Sequence, residues 1–179
     1  PLTTGRHYRN LLSLGDIGVI SRHIVAVQVD KSIEAIELYI GTVLAGGIFL
    51  PLNTAYTAAE LSYFLGDATP RIVICSPARE AEIAPLSPAT CLTLGADGTG
   101  SLIDALPATG GFDAVPREAD DLAAILYTSG TTGRSKGAML SHANLASNSE
   151  TLREYWRFTR HDVLIHALPI FHTHGLFVA

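Results

Sequence analysis

A chain of 179 residues, 47% apolar and only 16% charged, carries core material for one domain and little surface charge of its own. Its formal charge of −5, with no basic block to neutralise phosphates, argues against nucleic acid as a partner. Neither a secretory signal nor an apolar run of about 18 residues occurs, so no membrane span is expected and a cytoplasmic setting is.

Residues 24–29, IVAVQV, are rich in β-branched apolar residues and read as a buried strand. Asp30 and Lys31 are expected to turn the chain at its end. Ser32 can cap the following helix, with Glu34 favoured by the dipole of its first turn. Ile33, Ile36, Tyr39, Ile40, Val43 and Leu44 then recur at helical spacing, Gly46 and Gly47 end that helix, and residues 48–50 before Pro51 read as another strand. Asn53, Thr54 and Tyr56 read either as shaping a loop near a site or, no less readily, as packing residues. Thr57 and Glu60 form a capping box that opens a helix with Leu61, Phe64 and Leu65 on its apolar face, ending near Pro70. Residues 71–75 follow as a strand. Cys75 and Cys91 lack any C-x-x-C spacing and read as buried small hydrophobes in a reducing compartment, not as a metal or redox pair.

Residues 76–118 are richer in Pro, Gly and Ala and are expected to hold a short helix, a strand near 91–94 and a long surface connection. Adjacent Asp120 and Asp121 point to opposite faces of a strand and read as its solvated entry, not a metal pair. Residues 122–127 form a strand, and a helix of about 142–155 is capped by Ser141, with Tyr155 and Trp156 anchoring its end to the core. Residues 163–168 read as a last strand containing a structural His166. The alternation predicts an α/β fold with a mostly parallel sheet flanked by helices. No metal-ligating cluster is expected from these residues. The chain starts at Pro1 and stops within the apolar run LFVA, so a fragment truncated at both ends is expected.

Between the strand and that last helix lies TSGTTGRSKG, residues 128–137. Glycines let backbone amides approach a ligand, the Thr and Ser hydroxyls add donors, and Lys136 adds positive charge. Such a loop suits an anion, best a polyphosphate, and it follows a strand, where α/β sheets bind ligands. It is not a Walker A loop. Counting from Gly130, the second required glycine falls on Ser135, and the Ser or Thr needed after Lys136 is Gly137. A P-loop-like NTPase therefore stands as an alternative class that ATP hydrolysis without a carboxylic acid would favour. A non-catalytic binding module stands as another, and predicts no nucleotide binding.

The run does resemble the phosphate-binding signature of the adenylate-forming, or acyl-activating, enzymes, commonly Thr-Ser-Gly-Thr-Thr-Gly-x-Pro-Lys-Gly, with Ser135 where proline is usual. LAGGIFLPLN at 44–53 resembles the family's AGG…PL segment, and LPIFHTHG at 168–175 resembles the segment whose His helps form the acyl pocket. QVDKS at 28–32, PLNTAY at 51–56, the GRSKG form of the loop and PIFHTHG at 169–175 look like malonyl-CoA synthetases. Residues 1–23 fit less well: Ser21, Arg22 and His23 stand where relatives usually have a Pro-Gly-Asp-like turn.

The resemblance implies a two-step ligase. A carboxylate attacks the α-phosphorus of ATP, expelling pyrophosphate, and the CoA thiol then displaces AMP from the acyl-adenylate. ATP, Mg2+ and CoA are the implied cofactors and co-substrates, and malonate the favoured acid over medium- or long-chain fatty acids and aryl acids. Thr128, Ser129, Gly130, Thr131, Thr132, Gly133, Arg134, Ser135, Lys136 and Gly137 are the implied nucleotide-binding run. Within it Thr128, Ser129, Thr131, Thr132 and Lys136 are assigned to the β- and γ-phosphates, the glycines to backbone approach, and Arg134 to solvent. Lys136 and His172 are the implied catalytic residues, with His172 and then His174 in the acyl pocket. No arginine here is placed for malonate's distal carboxylate. Residues 1–179 correspond to part of the large N-terminal adenylation domain. The ribose-binding segment and the C-terminal domain with the family's catalytic lysine are expected in a missing remainder of the same polypeptide. The isolated chain is therefore expected to be inactive as a synthetase.

Overall fold

A run with four successive apolar residues settles where both of its faces are covered. In the computed structural model, which describes residues 14–17, 19, 21–107, 113–128 and 134–178, the run at 24–28 becomes β1 (Ile24–Gln28), an inner strand of a six-stranded sheet. Helix α1 (Ile33–Leu44) follows, the Ser32 hydroxyl accepting from the Ala35 N–H at 3.1 Å. Gly46 turns the chain at φ +75, a left-handed conformation glycine adopts freely, while closely packed on Val115. The chain returns as β2 (Ile48–Pro51), parallel to β1 with Ile24 opposite Ile48.

Helix α2 (Ala58–Ala68) opens on the anticipated capping box. The Glu60 carboxylate accepts from the Thr57 N–H at 2.8 Å, and the Thr57 hydroxyl accepts from the Glu60 N–H at 3.4 Å. Then come β3 (Ile72–Cys75), the single turn α3 (Glu80–Ile83), β4 (Thr90–Thr93) and the short α4 (Ser101–Ala105). The chain continues through β5 (Leu122–Thr128), β6 (Lys136–Ser141) and α5 (His142–Trp156). The strand order is β4-β3-β1-β2-β5-β6, parallel through β5 and antiparallel only at β6.

Alternate strand residues feed two separate cores. Val25, Val27, Phe49, Ile72 and Ile74 pack with Leu38 of α1 on one face. Ala26, Leu50, Val73 and Cys75 pack with Leu61 and Phe64 of α2 on the other. No helix among the described residues is long and apolar enough to cross a membrane.

The structure departs from the sequence expectations in four places. β6 was not anticipated, because it begins inside the Gly/Ser/Thr run and pairs only through register with β5. Residues 163–168 form no strand: Val163 is 90% and Ile165 89% exposed, and no described strand pairs with them. Tyr155, 84% exposed, and Trp156 do not anchor α5 to the core, since α5 buries no residue; the Trp156 ring meets that of Phe158 edge-on at 5.6 Å. Asp121 is not a solvated residue. Its carboxylate accepts from the Glu118 N–H at 2.9 Å and pairs with Arg117 at 2.9 Å and Arg22 at 3.5 Å; the backbone hydrogen bond first, and then the two guanidiniums, hold it below the usual carboxylate range.

Leu50 is fully buried in the central β2, whereas Met139 on β6 is 66% exposed. Leu50→Ala should cost about 2–5 kcal/mol and Met139→Ala less than about 0.5 kcal/mol, as read from denaturant midpoints of the two variants.

Candidate functional site

The candidate loop is displayed by the one antiparallel pairing in the sheet. β5 delivers Tyr127 and Thr128, β6 takes the chain back from Lys136, and Thr128 and Lys136 are register partners. Both side chains are exposed, and the Thr128 hydroxyl lies 3.5 Å from the Lys136 carbonyl, a long donor contact that leaves it open to a better acceptor. Ser129, Gly130, Thr131, Thr132 and Gly133 lie outside the described residues. A Cβ on Gly137 would come within 3.0 Å of the Ile125 methyl, so a larger residue there would crowd β5 unless Ile125 shifted.

Helix α2 reaches both ends of this loop. The Tyr63 hydroxyl donates to the Ser135 carbonyl at 2.9 Å, and the Arg134 guanidinium lies over the Tyr63 ring, 5.4 Å from its centroid. At the other end the Tyr127 hydroxyl donates to the Asp67 carboxylate at 2.5 Å, with its ring 4.5 Å from that of Phe64. Burial, and then Asp67, push the Tyr127 phenol above its ordinary value, so it remains a donor. Arg134 is exposed, as expected, yet it is stacked and not free in solvent.

The histidine segment rests on the opposite face of the sheet. Lys31, read as part of a simple turn, instead donates through its ammonium to the carbonyls of His166 and of Leu168, the latter at 3.0 Å. Ile170 is buried in the α1-side core, and Tyr39 of α1 meets Phe177 at 5.6 Å; burial pushes the Tyr39 phenol up to about 12. Asn148 of α5 donates to the Phe177 carbonyl at 2.7 Å. The His166 Nε2–H donates to the Gly175 carbonyl at 2.6 Å, consistent with a structural His166. His172 and His174 are both exposed, His172 packing edge-on against Phe171. Among the described residues no hydrogen bond or ring contact joins either histidine to residues 128–137. Neither lines the open cavity of about 350 Å³ between α5 and residues 176–178, which is walled by Leu145, Leu152, Phe158 and Phe177.

Loop 53–56 is clamped from beneath. Gln28, buried at the end of β1, donates to the Asn53 carbonyl at 2.7 Å, while Arg79 donates to Gln28 at 2.9 Å and to the carbonyls of Thr54 and Tyr56 at 3.0 and 3.1 Å. Cys75 and Cys91 meet at 3.8 Å between sulfurs. Burial raises both thiols, Cys75 to about 12, so neither is a thiolate near neutral pH; Cys91 is only half-buried. Among the described residues no trio of His, Cys, Asp or Glu is placed to hold a metal. Sequence reasoning missed Lys31, Tyr63, Asp67, Arg79 and Asn148 as parts of the site's framework. Only tertiary contacts single them out; each is unremarkable in its own helix or turn.

The AMP-binding enzyme family matches residues 10–179. An oxalate–CoA ligase of Arabidopsis thaliana is 32% identical over 172 residues, 91% of this chain, which spans only 33% of that protein's length. A malonate–CoA ligase of Mus musculus, named as mitochondrial, is 34% identical over 142 residues, covering 74% of this chain and 23% of its own. The ATP-bound crystal structure of MatB from Rhodopseudomonas palustris superposes with a TM-score of 0.90 at 60% identity, over 97% of this chain and 35% of that one.

Replacing Lys31 by Met removes the ammonium that gathers the carbonyls at 166 and 168. Amide hydrogen exchange across residues 166–176 should then rise several-fold while that of β1 stays unchanged.

Proposed function

Because the chain belongs to the AMP-binding enzyme family, we propose that it is the phosphate-gripping part of an ATP-dependent acid–thiol ligase that makes an acyl-adenylate and then an acyl-CoA. The observation that carries this reading is the pairing of Thr128 with Lys136. It holds an exposed hydroxyl and an exposed ammonium at the mouth of one loop rich in Gly, Ser and Thr. In adenylation a carboxylate oxygen bonds to the α-phosphorus and the bond to the β-phosphate oxygen breaks. Negative charge therefore grows on departing pyrophosphate. On this proposal Thr128, Ser129, Thr131, Thr132 and Lys136 supply donors to that charge, and Gly130 and Gly133 allow backbone N–H groups to approach. Lys136, a point charge on a flexible stem, suits a leaving group that moves as it departs.

His172 is the proposed acyl-pocket residue, with His174 two residues on as the second candidate. The segment that carries them is held by Lys31 and by α1, so the pocket and the loop rest on one sheet. Malonate is the proposed acid. The malonate–CoA and oxalate–CoA ligases among the relatives support a short dicarboxylate over a fatty or aryl acid. Mg2+ enters in this proposal as the counter-ion of the nucleotide, and CoA as the second-step thiol. The complete activity belongs, on this reading, to a polypeptide longer than these 179 residues, since the oxalate–CoA ligase is about three times as long. A cytoplasmic setting is part of the same proposal, supported by the two unpaired thiols.

Full-length protein should catalyse ATP–pyrophosphate exchange that depends on malonate, and Lys136→Ala should lower it by about a hundredfold or more. Exchange that ignores the carboxylate, or that survives Lys136→Ala, contradicts the assignment.

A further inference from the structure

Tyr63 and Asp67 are four residues apart on α2, so they share one helix face, and that face meets the two ends of a single loop. Tyr63 takes the returning end, at the Ser135 carbonyl, and Asp67 takes the leaving end, at the Tyr127 hydroxyl. Ser135 has no ring to fix its backbone, and Arg134 beside it is exposed, so neither residue restrains the chain by itself. Tyr63 restrains both, holding one by its hydroxyl and the other by its ring. The Tyr127 hydroxyl also donates to the Asp67 carboxylate, which disperses part of that side chain's negative charge. The helix that does this is anchored by its capping box and by Leu61, Phe64 and Leu65 in the core.

We propose that Tyr63 is a positioning residue for the phosphate loop: it pre-organises the returning strand so that Lys136 meets the nucleotide without first ordering the chain. Asp67, through Tyr127, performs the same service at the leaving end. The proposal rests on the phosphate-loop reading above. Its physical content is that binding energy is not spent on fixing residues 134–137.

Tyr63→Phe keeps the ring under Arg134 and removes only the hydroxyl. In the full-length protein it should raise KM for ATP about fivefold, the size of one neutral hydrogen bond, while KM for the carboxylate and the melting temperature stay near wild type. Amide exchange at residues 134–137, measured without nucleotide, should quicken in parallel. Tyr63→Ala, which also removes the ring, should exceed it in both measurements. Lys136→Ala is the control for the underlying reading. If that variant leaves ATP affinity unchanged, the loop reading itself fails and the proposal with it. If it weakens ATP while Tyr63→Phe changes neither KM for ATP nor exchange at 134–137, the loop reading stands and the positioning role is overturned.

Discussion

A reversal of chain direction at one edge of the sheet is the constraint on which the candidate site depends. From β4 to β5 every strand runs the same way, and each connection must carry the chain back across a face. Only between β5 and β6 does the chain fold directly back, with Thr128 opposite Lys136. A donor-rich loop inserted elsewhere would lead into a crossover, and its two ends would part. Here both ends are fixed one strand spacing apart, and the ladder running back to Ser141 secures them. An ammonium and a hydroxyl thereby stand together without any direct bond between their side chains.

That arrangement needs support from beneath, and the doubly covered sheet supplies it. The nearly continuous apolar runs of β1, β2 and β3 demand cover on both faces, so α1 and α2 are held by cores that would exist without any ligand. Each helix then meets a different part of the candidate site. Tyr63 and Asp67 of α2 brace the two ends of the candidate loop, and Tyr39 of α1, with Lys31 just before that helix, holds the histidine segment. The buried Gln28 with Arg79 fixes loop 53–56 in the same manner. Stability and site geometry are therefore carried by the same elements but by different residues within them.

What could be read from sequence follows the range of the forces involved. The caps at Ser32, Thr57 and Ser141 and the strands β1, β2, β3 and β5 are local signals, and the structure places them where those signals do. The loop was legible because its chemistry lies in one contiguous run. β6 was not, since half of its residues are polar or glycine and only its register with β5 makes it a strand. The apolar run at 163–168 misled for the converse reason: composition suits a buried strand, but nothing described covers it. Tyr155 and Trp156 failed likewise, being large aromatics on a helix that buries none of its residues. Lys31, Tyr63 and Asp67 act over long sequence separations, which no pattern of spacing reveals.

The central claim is that this loop serves transfer of an adenylyl group to a carboxylate, not of a phosphoryl group. Malonate labelled with 18O in its carboxylates, turned over by the full-length protein with ATP and CoA, decides between them. Attack at the α-phosphorus must leave one labelled oxygen in AMP, with unlabelled pyrophosphate released. Label in inorganic phosphate, accompanied by ADP, would show attack at the γ-phosphorus and contradict the account.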